Sequence, residues 1–166
     1  AAILAPHIRE GMTVLEPGPG MGFFTLEMAR LVGATGHVIA VDVQAKMLDR
    51  LERRARRAGV AERIEAHLTT ADSMALTSLA GKVDFALAFA VVHEMPSAGR
   101  FFAETHETLK PGARLLFAEP SGHVTGADFE KELDAAMRAG FRVVARPQIR
   151  RSHAALLEKS VTPSAV

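Results

Sequence analysis

No cysteine occurs among the 166 residues, and neither tryptophan nor tyrosine is present. The first absence excludes disulfides, zinc–thiolate sites, iron–sulfur clusters and a cysteine nucleophile within this chain. It also removes thiolate capture of a soft substrate such as arsenite. It fits a reducing compartment, so a cytoplasmic location is the expectation. The second absence leaves no Tyr or Trp ring to stack on an aromatic ligand. A strong charge of one sign is missing as well. Lys and Arg number 20 against 19 Asp and Glu, for a formal net charge of +1. That balance argues against nucleic acid as the partner. No apolar run is long enough to cross a bilayer, and no membrane partner is expected. The longest run, residues 83–92, carries Asp84 and ends at His93-Glu94. No signal-peptide pattern is visible, and the chain opens on Ala1-Ala2-Ile3-Leu4 without a Met, which leads us to expect a trimmed chain.

What is present is a globular balance, 48% hydrophobic and 23% charged. The length allows one domain with a sizeable core, expected over 1–166, with a short segment at 1–10 and a frayed tail at 161–166. Strand-like and helix-like stretches alternate. Residues 12–16, 37–41, 63–68, 83–89 and 113–118 read as strands. Residues 22–31, 44–58, 98–109 and 126–139 read as helices. In the first helix Phe23, Leu26, Ala29 and Arg30 share helical spacing, and Lys110-Pro111-Gly112 closes the third. Two further strands, 141–145 and 153–158, are too close for a crossover helix and predict an antiparallel hairpin. The alternation predicts a doubly wound α/β fold with a parallel sheet. The basic face Arg50, Arg53, Arg54 and Arg57 reads as a solvated helix surface, with a nucleic-acid patch as the less favoured alternative.

The strongest local signal is Glu16-Pro17-Gly18-Pro19-Gly20-Met21-Gly22, between a strand and a helix. Glycine permits a sharp turn and close approach of a ligand to the backbone. The Gly-x-Gly-x-Gly spacing differs from the Gly-x-Gly-x-x-Gly of dinucleotide sites. Glu16 would oppose a bound pyrophosphate but suit a ligand with an ammonium and a sulfonium. Asp42, ending the second strand, can accept both hydroxyls of a ribose, or it can cap the next helix. Asp72, after Thr69-Thr70-Ala71, can accept from an adenine amino group with Met74 packed on the ring, or serve as a capping residue.

This ordered set resembles the class I S-adenosylmethionine-dependent methyltransferases, over roughly residues 10–160. Val14 to Gly22 is similar to the family's first motif. Val41-Asp42 is similar to its ribose-binding acid, and Ala71-Asp72-Ser73 to its adenine segment. Residues 83–89 are similar to its fourth strand, and Leu109-Lys110-Pro111-Gly112-Ala113 to the turn into its fifth. Val91-Val92-His93-Glu94-Met95-Pro96 is similar to the small-molecule subgroup near the ubiquinone/menaquinone C-methyltransferases. The resemblance implies a Rossmann-like seven-stranded sheet of order 3-2-1-4-5-7-6 with its last strand antiparallel. It implies S-adenosylmethionine as cofactor and a small-molecule acceptor. The cofactor-binding candidates are Glu16, Gly18, Pro19, Gly20, Asp42, Val43, Met47, Ala71, Asp72, Ser73 and Phe89.

Methyl transfer from a sulfonium needs alignment, and a base only where the acceptor must lose a proton. His93 and His123, with Glu94 and Glu119 nearby in sequence, follow the fourth and fifth strands, where the acceptor should approach. Either histidine could be that base, or His93 could be a structural loop residue. No metal is expected, since no local His-x-x-x-His spacing is present. Two rivals stay open: a nicotinamide-dependent oxidoreductase, and a non-catalytic module keeping the same fold. Oligomeric state is open too, a homodimer being one option.

Overall fold

A computed structural model describes residues 2–161. The expected tail at 161–166 lies, past Val161, outside them. The elements run β1 (Thr13–Pro17), α1 (Phe23–Leu31), β2 (His37–Asp42), α2 (Ala45–Arg57), β3 (Ile64–Leu68) and β4 (Val83–Phe89). Then come α3 (Ala98–Thr108), β5 (Leu109–Pro120), α4 (Gly126–Arg138), β6 (Phe141–Ala145) and β7 (Ser152–Lys159). The seven strands form one sheet of order β3-β2-β1-β4-β5-β7-β6. All neighbours are parallel except β7, which is antiparallel to both β5 and β6.

The sheet is covered on both faces, and period-two alternation divides its side chains between them. Along β4, Ala86 and Ala88 point into the core under α3 and α4, beside Phe101, Phe102, Phe129 and Leu133. Phe85 and Leu87 point the other way, against Leu26, Met28 and Ala29 of α1. Phe117 of β5 sits edge-on to Phe102 at 5.2 Å and stacked on Phe129 at 4.9 Å. Truncating such a buried ring to alanine costs about 3–5 kcal/mol. Leu4 and Ile8 are buried in the α1-side core, and His7 stacks on Phe85 at 5.4 Å. The first segment thus covers part of the sheet, a role that its sequence does not advertise.

Helix starts follow side-chain caps where the sequence supplies them. Ser97 accepts from Arg100 N at 3.1 Å to open α3, and Thr125 accepts from Asp128 N at 3.1 Å to open α4. Two expectations are corrected. Phe23 is not on the buried stripe of α1: it is 73% exposed, and Thr25, Leu26, Met28 and Ala29 form that stripe. Lys110-Pro111-Gly112 is no separate turn. The fifth strand starts at Leu109, paired with Val83, and those three residues and Ala113 bulge opposite Asp84 before pairing resumes at Phe85 with Arg114.

Candidate active site

The parallel strands β1, β2 and β4 all end at one edge, and a cavity of about 500 Å³ opens there. That volume lies within the range of small-molecule sites, and the place is where open α/β sheets bind ligands. Its position follows from the chain's turns. Gly18 has φ +68°, and a Cβ there would stand 2.5 Å from Val91 Cγ2. At Gly20, φ is +56° and nothing lies within 4 Å of where a Cβ would be, so the backbone faces open space. Arg54 of α2 donates to Met21 O and fastens the turn from behind. On the facing wall Ala90, with φ +58°, turns the chain at the end of β4. A non-glycine residue in that conformation costs about 1 kcal/mol or more.

All eleven cofactor candidates line this cavity. Glu16 is buried, and its carboxylate accepts from the hydroxyl of Thr25. Burial lifts its carboxyl to about 7, against the smaller lowering by Thr25. Asp42 accepts from Gln44 N at 2.9 Å through Oδ1. The cap position of α2 falls on Gln44, two residues on. Val43 and Met47 stand beside it. Asp72 has no capping role, because residues 71–76 are irregular and the next turn of helix is the short 3-10 segment Thr77–Leu79. Phe89 packs on Phe24 with centroids 4.7 Å apart and forms an apolar wall.

Two lining residues that brace the loop after β3 escaped the sequence reading. Glu104 of α3 accepts from Ser73 Oγ at 2.7 Å and Met74 N at 2.9 Å, and Arg100 donates to Asp72 O at 2.8 Å. Both grip the loop after β3 from a helix some thirty residues on. Their spacing of four on one helix face was the available signal, and it is faint.

Neither His93 nor His123 is among the lining residues, although Val91, Glu94, Met95 and Pro96 are. The histidines stand next to the cavity, with rings stacked 6.1 Å apart. His93 lies in the 3-10 turn Val92–Glu94, and its Nδ1 bonds to Glu119. Its Nε2 is 3.9 Å from Glu94 Oε1. Among the described residues, no group of three or more His, Asp or Glu is arranged to hold a metal ion.

The cavity's charge is one-sided. Five acidic side chains line it (Glu16, partly ionised near neutral pH, with Asp42, Asp72, Glu94 and Glu104), against one cationic side chain, Arg100. Low-dielectric walls strengthen such a field, which favours a cationic ligand and opposes a pyrophosphate.

Comparison with known proteins agrees with this geometry. A family model described as a methyltransferase domain matches residues 8–161. An arsenite methyltransferase of Aquipseudomonas alcaligenes is 31% identical over 121 residues, covering 70% of this chain and 35% of that protein. The ubiquinone/menaquinone biosynthesis C-methyltransferase UbiE of Escherichia coli is 30% identical over 112 residues, covering 68% of this chain and 44% of that protein. The chain therefore spans less than half the length of these curated relatives. The crystal structure of a SAM-dependent methyltransferase from Aquifex aeolicus has a TM-score of 0.83 at 25% identity, covering 96% of this chain and 88% of that one. No helix among the described residues is long and apolar enough to cross a membrane.

Proposed function

This chain belongs to the methyltransferase-domain family, and from that premise we propose that it transfers a methyl group from S-adenosylmethionine to a small-molecule acceptor. One observation carries the proposal: the five acidic side chains gathered around a glycine turn at the carboxyl edge of the sheet. Such a wall suits an ammonium and a sulfonium. A nicotinamide dinucleotide would bring its pyrophosphate against it, which counts against an oxidoreductase.

The donor supplies a methyl carbon already activated by sulfur, so the chain's work is binding and alignment. Glu16, Gly18, Pro19 and Gly20 hold the methionine end. Gly20 leaves its backbone open to the ligand, in space that a Cβ would fill. Asp42 accepts from the ribose through the oxygen that Gln44 leaves available. Val43 and Met47 flank the adenosine. Ala71, Asp72 and Ser73 take the adenine edge, held in place by Arg100 and Glu104. Phe89 closes the apolar side. His93 and His123 are the candidates for a base. None of these 166 residues is a cysteine that could hold arsenite by a thiolate, and we place the acceptor among small molecules. We place the reaction in the cytoplasm, which fractionation with an antibody to the whole chain would check.

Calorimetric titration of the whole chain tests the proposal. Saturable binding of S-adenosylmethionine and S-adenosylhomocysteine is expected, and no binding of NADH. A folded sample that ignores both sulfur ligands would overturn it.

A further inference from the structure

Glu119 ends β5 fully buried, where a charged side chain needs partners. It has three. Its Oε1 accepts from Val92 N at 2.8 Å and from His93 N at 3.4 Å, and its Oε2 meets His93 Nδ1. An ionised carboxylate can only accept, so Nδ1 must carry the hydrogen. A neutral imidazole in that tautomer leaves Nε2 bare. Nε2 lies 3.9 Å from Oε1 of Glu94, a residue that lines the cavity. The ring itself is 23% exposed, so it is held in place yet reachable.

A second carboxyl faces the pair from α4. Glu132 Oε2 is buried and has no hydrogen-bond partner among the described residues. Burial, then the Glu119 charge, push Glu132 up to about 7. Glu132 therefore takes up a proton more readily than an ordinary glutamate.

Resting on the methyl-transfer reading of the cavity, we propose that Glu119 is a positioning residue, which fixes His93 with Nδ1 protonated and Nε2 open to receive a proton from the acceptor. The step balances. The acceptor's O–H or acidic C–H gives its proton to Nε2. The electron pair left on that atom forms the bond to the methyl carbon, and the carbon–sulfur pair departs with sulfur. The imidazolium formed faces Glu119 until its proton passes to water. A hydroxyl or an acidic carbon needs such a base, whereas a tertiary amine does not.

Long-range proton–nitrogen NMR of the whole labelled chain at alkaline pH tests this, with His93→Gln assigning the His93 ring. Wild-type protein should show His93 protonated at Nδ1 and bare at Nε2. In Glu119→Gln the amide oxygen can still accept from Val92 N and His93 N. Its NH2 can only donate toward Nδ1, so the tautomer should reverse, with affinity for S-adenosylhomocysteine unchanged. Wild-type protein protonated at Nε2, or a variant with no reversal, overturns the proposal. Should Glu119→Gln fail to fold, the wild-type tautomer alone decides. Loss of S-adenosylhomocysteine binding in both proteins would instead defeat the cofactor assignment and leave the tautomer result standing.

Discussion

The carboxyl edge of the sheet has two halves built on different principles. The half over β1, β2 and β3 is made by backbone: glycine turns and strand ends set Glu16, Asp42 and Asp72 around a cavity. The half over β4, β5 and α4 is made by side chains that reach one another across the fold, with His93 meeting Glu119 over 26 residues of sequence. The buried carboxyls differ accordingly. Glu16 has one side-chain donor, Thr25, and burial raises it to about 7. Glu119 is equally buried but is held by two backbone N–H groups and an imidazole. A carboxylate with few partners is poised to gain from a cation, whereas one rich in partners is poised to hold something else still.

Four changes would break or sharpen this contrast, beginning with the largest. Gly18→Ala puts a Cβ 2.5 Å from Val91 Cγ2 at a φ of +68°. Left-handed strain and overpacking together should destabilise the protein by roughly 3 kcal/mol and abolish donor binding. Denaturant melts and calorimetry would measure both, and a variant that binds normally would show that the turn is not a cradle.

Glu16→Gln comes next. A carboxyl raised in the folded state favours folding most when protonated, so its contribution is full below the unfolded value of 4.5 and falls as pH rises through about 7. Removing the charge should stabilise the ligand-free protein above neutral pH by up to about 3 kcal/mol. It should also weaken donor binding and abolish the rise in donor affinity expected from pH 6 to 7.5. Melts against pH, with and without S-adenosylhomocysteine, would test this.

Asp42→Ala should lower donor affinity by about 2 kcal/mol, or roughly thirtyfold, through loss of a charged hydrogen-bond acceptor. Wild-type affinity would remove Asp42 from the site. Glu132→Gln should have the smallest effect. It should flatten the decline of stability between pH 4.5 and 7, by less than Glu16→Gln because its carboxyl is more exposed to solvent, and leave donor affinity alone. A fall in donor affinity would erase the boundary between the halves.

The same contrast explains what could be read from the sequence. Strands β1, β2 and β4 are buried runs bounded by glycine or acid, and their side chains lie within a few residues of the motif that points to them. The alternation of elements was therefore legible from the residues, the strand order followed from the family resemblance, and the eleven cofactor-side candidates all fall on the cavity wall. The start of β5 was not, because Lys110-Pro111-Gly112 looks like a turn and is a bulge between paired residues. Exposure of Phe23 was hidden too, since helical spacing names a face without saying which neighbour covers it. Glu104, Arg100 and Glu132 act over distances that local pattern does not encode. Helix-to-loop hydrogen bonds leave no periodic trace.

One helix joins the halves. The first turn of α3 follows directly on residues 91–97, and its Arg100 and Glu104 hold residues 72–74. The two lips of the cleft thus share one support, α3. Were occupancy at one lip to change affinity at the other, thermodynamic reciprocity would make the factor the same in both directions.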